Sequence, residues 1–363
     1  MKTYTNFTEV IQELTVREQH RKLVTYNLAL FLDMEWGVTD ELPHEYVTIG
    51  TQWLMTKFAF AQMCKKLAYV IGKPVTGNYL WAHGDVLSHA VPIHLASQNE
   101  AAMNKHIARN TRTNSTEDFT NNVILNVHNE NIVTAFLSTN YHGVSNVKSV
   151  EKLAEIIEDS GMTPVDIRVK TYDDFFDTID VSVIFEEFVD GGNFYGAGIT
   201  LRNSQNGLFG LLVAPIVKSN TCDNSIIEYM ASYNRHTNGV EEFFDSAVSR
   251  VPELVGLAVT MYNNSRNLRQ LTVRNMDTAI DTVIAQLALP HSTKPVFIEG
   301  LVSEFDEPNS LYSLISAITY VSQTLDNPQK ELRMNNIAGN IANTFGNYAK
   351  GYEVSLGEIK LLL

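Results

Sequence analysis

The alternating apolar runs in the middle of this chain stand too close together for a parallel sheet. VILNVHNENIVTAFL, VDIRVKTY, IDVSVIFEEF, GAGITLRN and LFGLLVAPIVK follow one another between residues 123 and 218. A parallel neighbour needs a crossover of about a dozen residues or more, and most of these links are far shorter, so antiparallel pairing is expected. Asn129, Glu130 and Asn131 mark a turn between the first two strands. Between the last two runs stands NSQNG, residues 203–207. Its Asn206-Gly207 pair suits the positive φ angles of a tight hairpin. Ile199–Arg202 and Leu208–Lys218 are therefore expected to be adjacent antiparallel strands. One helix interrupts the series, SVEKLAEIIEDSG, with Ser149 as its cap, Leu153, Ile156 and Ile157 on one face, and Gly161 as its stop.

Helical spacing is read on both sides of this sheet. Val10, Ile11 and Leu14, then Leu23, Val24 and Leu28, place the first stretch on helices. Trp53, Leu54, Phe58, Ala61 and Leu67 mark a second helix, ended by Gly72-Lys73-Pro74. After Asn224 the chain reads as helices again: SIIEYMASYN, GVEEFFDSAVSRVPELVGLAVTMYNNS, MDTAIDTVIAQLAL, SLYSLISAITYVSQTL and QKELRMNNIAGNIANTF. Strands gathered centrally with helices before and after give an α+β class, with a central antiparallel sheet of β-hairpins flanked by N-terminal and C-terminal helical blocks. Residues 1–115 are read as a mainly helical region and residues 116–363 as the α+β core with its C-terminal helices.

Composition narrows the function classes. The 363 residues are 44% hydrophobic, enough for a sizeable core, yet no apolar run reaches the roughly 18 residues of a membrane span. Lys57, Lys65 and Lys66 break the one suggestive stretch, and the acid-bearing N-terminus is unlike a signal peptide. Cys64 and Cys222 form no metal or disulfide pattern, so a reducing host cytoplasm fits and Cys222 is expected to be a reduced structural thiol. The net charge of −14 counts against a protein that coats nucleic acid along its whole surface. It leaves room for a local basic strip.

Catalytic motifs are missing. His83, His89, His94 and His106 are badly spaced for zinc, and Asp173, Asp174, Asp177 and Asp180 lack a calcium-loop pattern and read as a solvated turn. Gly191, Gly192, Gly196 and Gly198 precede a strand, whereas a phosphate-cradling loop follows one. No enzyme activity and no cofactor are expected. Basic groups are the remaining signal. Lys105, Arg109 and Arg112 share an acid-free segment, and Arg266, Arg269 and Arg274 are the only charges between Glu253 and Asp277. On a helix Arg266 and Arg269 share a face.

The hairpin also carries a resemblance. Asn203, Ser204 and Gly207, followed by Cys222 and Asn224, resemble the Asn-Ser-x-x-Gly turn and Cys-x-Asn-Gly loop of a family of phage, prophage and plasmid proteins catalogued as domain of unknown function 932, with Ser225 where glycine is usual. Other segments are similar in order: FAFAQMCKKLAYVIGKP, AFLSTNYHGVSNVKSVEKLAEIIEDSG, YNRHTNG with Arg235 and His236, and SLISAITYVSQTLDNPQKELRMNNIAGNI. Met334-Asn335 stands where Leu-Glu is common, while Ala338 and Gly339 are kept. The family's setting on mobile elements, beside recombination and replication genes, implies work on DNA. Its fold class is broadly similar to that of phage single-strand annealing proteins.

The resulting expectation is a phage-encoded, homo-oligomeric protein that binds or anneals single-stranded DNA. Arg109, Arg112, Arg202, Lys218, Arg235, Arg266, Arg269 and Arg274 would meet phosphates, and Tyr229, Tyr233 and Tyr262 would stack on bases. The opposed expectation is a virion component or an inhibitor of host defence, which acidic charge suits equally well. A metal-dependent nuclease built on Asp173–Asp180 is a third.

Overall fold

The structure, a computed structural model, describes residues 2–4, 6–27, 36–39, 46–49, 53–56, 58–60, 62–63, 122–138, 141–171, 177–190, 193–208, 210–219, 225–227, 232–234, 239–302, 309–325, 328–355 and 357–359. The 115/116 boundary falls outside them, as do Arg109, Arg112, Arg235, Cys64, Cys222, Tyr229, Asp173, Asp174 and the four histidines from His83 to His106.

Seven strands make the larger sheet. Its order is β1 (Lys2–Tyr4), β8 (Asp166–Thr171), β9 (Thr178–Asp190), β10 (Asn193–Ser204), β11 (Leu211–Ser219) and β12 (Ser225–Ile227), with β13 (Ser232–Asn234) also paired to β11. Every pairing in it is antiparallel. The α+β reading therefore holds, and so does the hairpin, with its second strand starting at Leu211 instead of Leu208: Ile199 faces Pro215 and Arg202 faces Leu212. Among the described residues of the turn, Gly207 alone takes the left-handed conformation, at φ +73°. Asn206 does not, so the turn is wider than a two-residue type I′ turn.

The N-terminal region differs from the helical expectation. Asn6 caps α1 (Phe7–Glu18) by accepting from the Glu9 amide, but the helix ends there. Residues read as more helix form β2 (Arg21–Asn27), and Trp53 and Leu54 belong to β5 (Trp53–Thr56). They enter a second sheet in the order β2, β6 (Asn122–His128), β7 (Ile132–Leu137), β5, β4 (Tyr46–Ile49) and β3 (Trp36–Thr39). β2 pairs with β6 over all seven residues, Arg21 facing His128. A full ladder of backbone hydrogen bonds outweighs a weak local helical pattern. The same competition decides SIIEYMASYN, whose Ser225–Ile227 and Ser232–Asn234 add to β11 as strands rather than forming a helix.

Helices cover the larger sheet. α2 (Asn146–Asp159) is capped by Ser145, whose hydroxyl accepts from the Lys148 amide, not by Ser149, which lies inside the first turn. Gly161, at φ +70°, ends it as expected. α1 and α2, with α3 (Val240–Val248) and the start of α4 (Val251–Asn267), bury Ile167, Val181, Val183, Ile199, Leu201 and Val213 on one sheet face. The end of α4 joins α5 (Met276–Gln286), α6 (Lys294–Val302), α7 (Leu311–Gln323) and α8 (Pro328–Phe345) in a second core. α8 also reaches the other sheet face, where Leu332 packs on Leu212, Ala214 and Ile216. Among the described residues, no helix is long and apolar enough to cross a membrane.

Gly198 lies at a β-bulge in the β9–β10 ladder, and a Cβ there would sit 1.9 Å from the Val183 carbonyl oxygen. The Gly198→Ala protein should lose about 3 kcal/mol or more in urea unfolding, or not fold. Gly256, on the exposed side of α4 with nothing within 4 Å of its Cβ position, is the contrast. Gly256→Ala should gain roughly 0.5–1 kcal/mol.

Candidate nucleic-acid interface

Register across the larger sheet places Lys170, Asp180, Arg202 and Leu212 in one row. Thr200 shares their face of the sheet, two residues along β10. The row lies under α8. Arg202 is 1% exposed; its Nη2 is 2.5 Å from Asp180 Oδ2 and 3.6 Å from Glu331 Oε1 on α8. Lys170 Nζ donates to Glu331 at 2.8 Å, and the Thr200 hydroxyl donates to Asp180 at 2.6 Å. Burial pushes the Asp180 carboxyl up, but Arg202, Lys218, the Thr200 hydrogen bond and Lys170 outweigh it and hold the carboxyl below its usual range. Lys218 is itself only 4% exposed.

Arg202 and Lys218 are thus corrections to the expected phosphate contacts. Both are buried, Arg202 against Asp180 and Glu331 and Lys218 within the electrostatic reach of Asp180, where no polymer can meet them. Asp180 is corrected as well, since it is an interior ion-pair partner rather than part of a solvated turn.

Asp177, at 3% exposure, is the second interior acid. It accepts from the Asn126 amide, and His128 Nε2 lies 2.8 Å from its Oδ1. A carboxylate only accepts, so the ring nitrogen facing it carries the hydrogen of that contact. Arg21 Nε is 3.9 Å away and donates to Asn126 Oδ1 at 2.8 Å. The NSQNG turn closes over the same place. Asn203 donates to Asn146 and to the Val144 carbonyl, Gln205 donates to Glu18, and Gln62 donates to the Asn206 carbonyl. Residues 203–206 are each at most 1% exposed. Asp177 and the turn together join the two sheets, and the hairpin tip is a joint rather than the rim of a groove. Among the described residues, no three His, Cys, Asp or Glu side chains gather as a metal site.

The expected base-stacking Tyr262 is also interior. Its ring stacks on Phe188 at 4.2 Å between centroids and 15° between planes, and it tilts against Tyr195 at 5.7 Å. Tyr233 lies in β13 opposite Leu212. Arg269 is half-buried: its guanidinium carbon is 4.8 Å from the Tyr312 ring centroid, and Nη2 donates to the Tyr195 hydroxyl at 3.4 Å. It follows Arg266 beyond the end of α4, in a short 3-10 turn (Leu268–Gln270), and wedges inward.

Arg266 and Arg274 are exposed. The segment between them is stitched to the turn after α8. Asn267 donates to the Gly346 carbonyl at 3.0 Å and Gly351 N–H to the Gln270 carbonyl at 2.9 Å. β14 (Thr272–Val273) then pairs in parallel with β15 (Glu353–Val354). The segment that carries the exposed Tyr348, Lys350 and Tyr352 thus runs alongside the backbone between Arg266 and Arg274. Sequence reasoning missed these three residues. The signal was the run Tyr-Ala-Lys-Gly-Tyr directly after a helix, with a glycine that ends at φ +78°.

Acids border the surface. Glu353 is exposed beside Thr272, and Asp277 on α5 is held by Lys294 at 2.8 Å. Glu358 accepts from the Tyr352 hydroxyl and from the amide and hydroxyl of Ser355. The Tyr352 hydrogen bond, with those from Ser355, holds the Glu358 carboxyl below its usual range.

Compared with protein-family models, curated proteins and solved structures, the chain matches none. The assignment of this surface therefore stands on geometry.

Asp180→Asn tests the interior row. Removing one partner of a buried pair leaves Arg202 undercompensated and should cost about 3–5 kcal/mol at neutral pH. Because the folded Asp180 value is depressed, its contribution is complete above the unfolded value of about 3.9 and is lost as pH falls through the folded value. In urea unfolding, the gap between parent and variant should shrink only in that acid window.

Proposed function

We propose that this chain is a phage-encoded, non-enzymatic protein that binds or anneals single-stranded DNA in replication or recombination. The observation that carries the reading is the collection of Arg266, Arg274 and Lys350 as exposed cations round one stitched turn of an otherwise acidic molecule. Nucleic-acid affinity comes chiefly from cations that displace counterions condensed on phosphates. These cations surround a turn instead of running along a helix face, which suits a flexible strand better than a rigid duplex. Kinship with the phage and plasmid proteins of domain of unknown function 932, to which no family model ties the chain, is part of the same proposal.

Three exposed cations neutralise few phosphates, so useful affinity calls for several copies on one strand. Homo-oligomerisation is thus part of the proposal. The acidic remainder of the surface keeps the protein from spreading over nucleic acid without limit.

Labelled single-stranded oligonucleotide, titrated across a sodium chloride series, is the test. Each phosphate contact of a single strand contributes about 0.7 to the slope of log affinity against log salt. The joint Arg266→Ala, Arg274→Ala variant should bind more weakly for all sequences alike, with a slope flatter by roughly 1.4 per subunit engaged. Its folding stability should change by no more than about 0.5 kcal/mol, because both side chains are exposed. An unchanged slope would assign the strip to a solvated face. A parent protein that binds no DNA at low salt would favour a virion or host-defence-inhibiting interaction protein instead.

A further inference from the structure

Resting on that reading, the geometry points to Tyr348 and Tyr352 as a platform on which unpaired bases stack, so that the site holds bases as well as phosphates. Large aromatic side chains at the end of a helix usually turn into the core, as Phe345 does at 1% exposure. Tyr348 and Tyr352 remain 39% and 38% exposed, four residues apart and on the same turn. Their positions are fixed from several sides. Tyr348 meets the buried Phe345 ring edge-on, with centroids 4.9 Å apart and planes at 69°. Tyr352 meets Tyr348 at 4.9 Å and 81°. The Tyr352 hydroxyl donates to Glu358 at 2.7 Å, and its backbone carbonyl accepts from the Thr272 amide at 3.1 Å.

A ring held this way gives up little side-chain entropy when a ligand lands on it, which is the property a stacking surface needs. The occupant follows from what surrounds the rings. Lys350 lies between them in sequence, and the Arg274 N–H donates to the carbonyl of Val354, two residues beyond Tyr352, so the backbone carries two exposed cations close to the aromatic pair. Alternating aromatic faces and cations match the alternating bases and phosphates of a single strand. A duplex keeps its base faces inside the stack and offers nothing to the two rings. Glu353 and the Glu358 carboxylate disfavour a phosphate directly beside Tyr352, so the phosphates belong on the side away from these acids and the bases over the rings.

The test uses the full-length protein, a thirty-residue oligothymidylate, and an abasic oligonucleotide of equal length that keeps the phosphates and lacks the bases. The parent should prefer the base-bearing strand by at least roughly fivefold, as expected for one stacked base. The joint Tyr348→Leu, Tyr352→Leu variant should lose that preference while its salt slope stays at the parent value. Tyr348→Phe, which keeps the ring, should behave as the parent and guards against a variant that merely fails to fold. If the leucine variant is folded and still prefers the base-bearing strand, the platform is wrong and the phosphate strip stands. If the parent shows salt-dependent binding but no preference for bases, the platform is likewise wrong. If the parent binds neither oligonucleotide at low salt, the strip and the platform fall together.

Discussion

A guanidinium that cannot shed its proton sits in the middle of the larger sheet, and much of the architecture answers to it. Arg202 is on a central strand, sealed from water, with Asp180 across the ladder and Glu331 descending from α8. One carboxylate comes with the sheet, whereas the other arrives only when the C-terminal helices dock. An apolar face would accept a helix in several registers. A face with fixed charges accepts the one that brings Glu331 over Arg202 and Lys170. We read the row as a device for register more than for net stability, since buried ion pairs seldom outweigh the cost of dehydrating them.

The second interior acid has the same logic on a different boundary. Asp177 immediately precedes β9, yet its side-chain partners Asn126 and His128 belong to the smaller sheet, and its backbone carbonyl accepts from Asn146 on α2 and from Gln205 in the hairpin turn. Three regions of the chain, far apart in sequence, thus share one residue. With these interior charges assigned to structure, the exposed surface between Arg266 and Tyr352 remains the proposed site among the described residues.

The strands of the core were legible because β-branched and other apolar residues alternate there and turn residues separate them. Val181, Val183, Ile199 and Leu201 are the clearest case, and all four are fully buried. Leu23 and Val24 misled because two adjacent apolar residues fit a helix as well as a strand, and only the β6 partner, a hundred residues on, decides between them. The charges were the least legible. Arg202 alternates with Thr200 and Ser204 on one strand face, a pattern that normally marks the solvent side of a sheet. Nothing local tells that α8 covers that face, since Glu331 is more than a hundred positions away. Arg266 and Arg274 could be read as exposed from the polar residues around them. Tyr348 and Tyr352 stood out only as a run of aromatic, basic and glycine residues after a helix, because the links that join their segment to the arginines are mostly backbone hydrogen bonds.

Hairpin tips are ordinarily where a protein forgives change: they take insertions, meet proteases first and exchange their amide hydrogens fastest. The tip between β10 and β11 inverts that habit. Gln205 N–H donates to the Asp177 carbonyl and Leu208 N–H to the Ser204 hydroxyl, both at the seam where the sheets meet. Those amides open only when the seam opens. A tag or loop grafted at residues 203–206 would wedge the sheets apart, and the amide clock of the turn would run at the pace of the strands it connects.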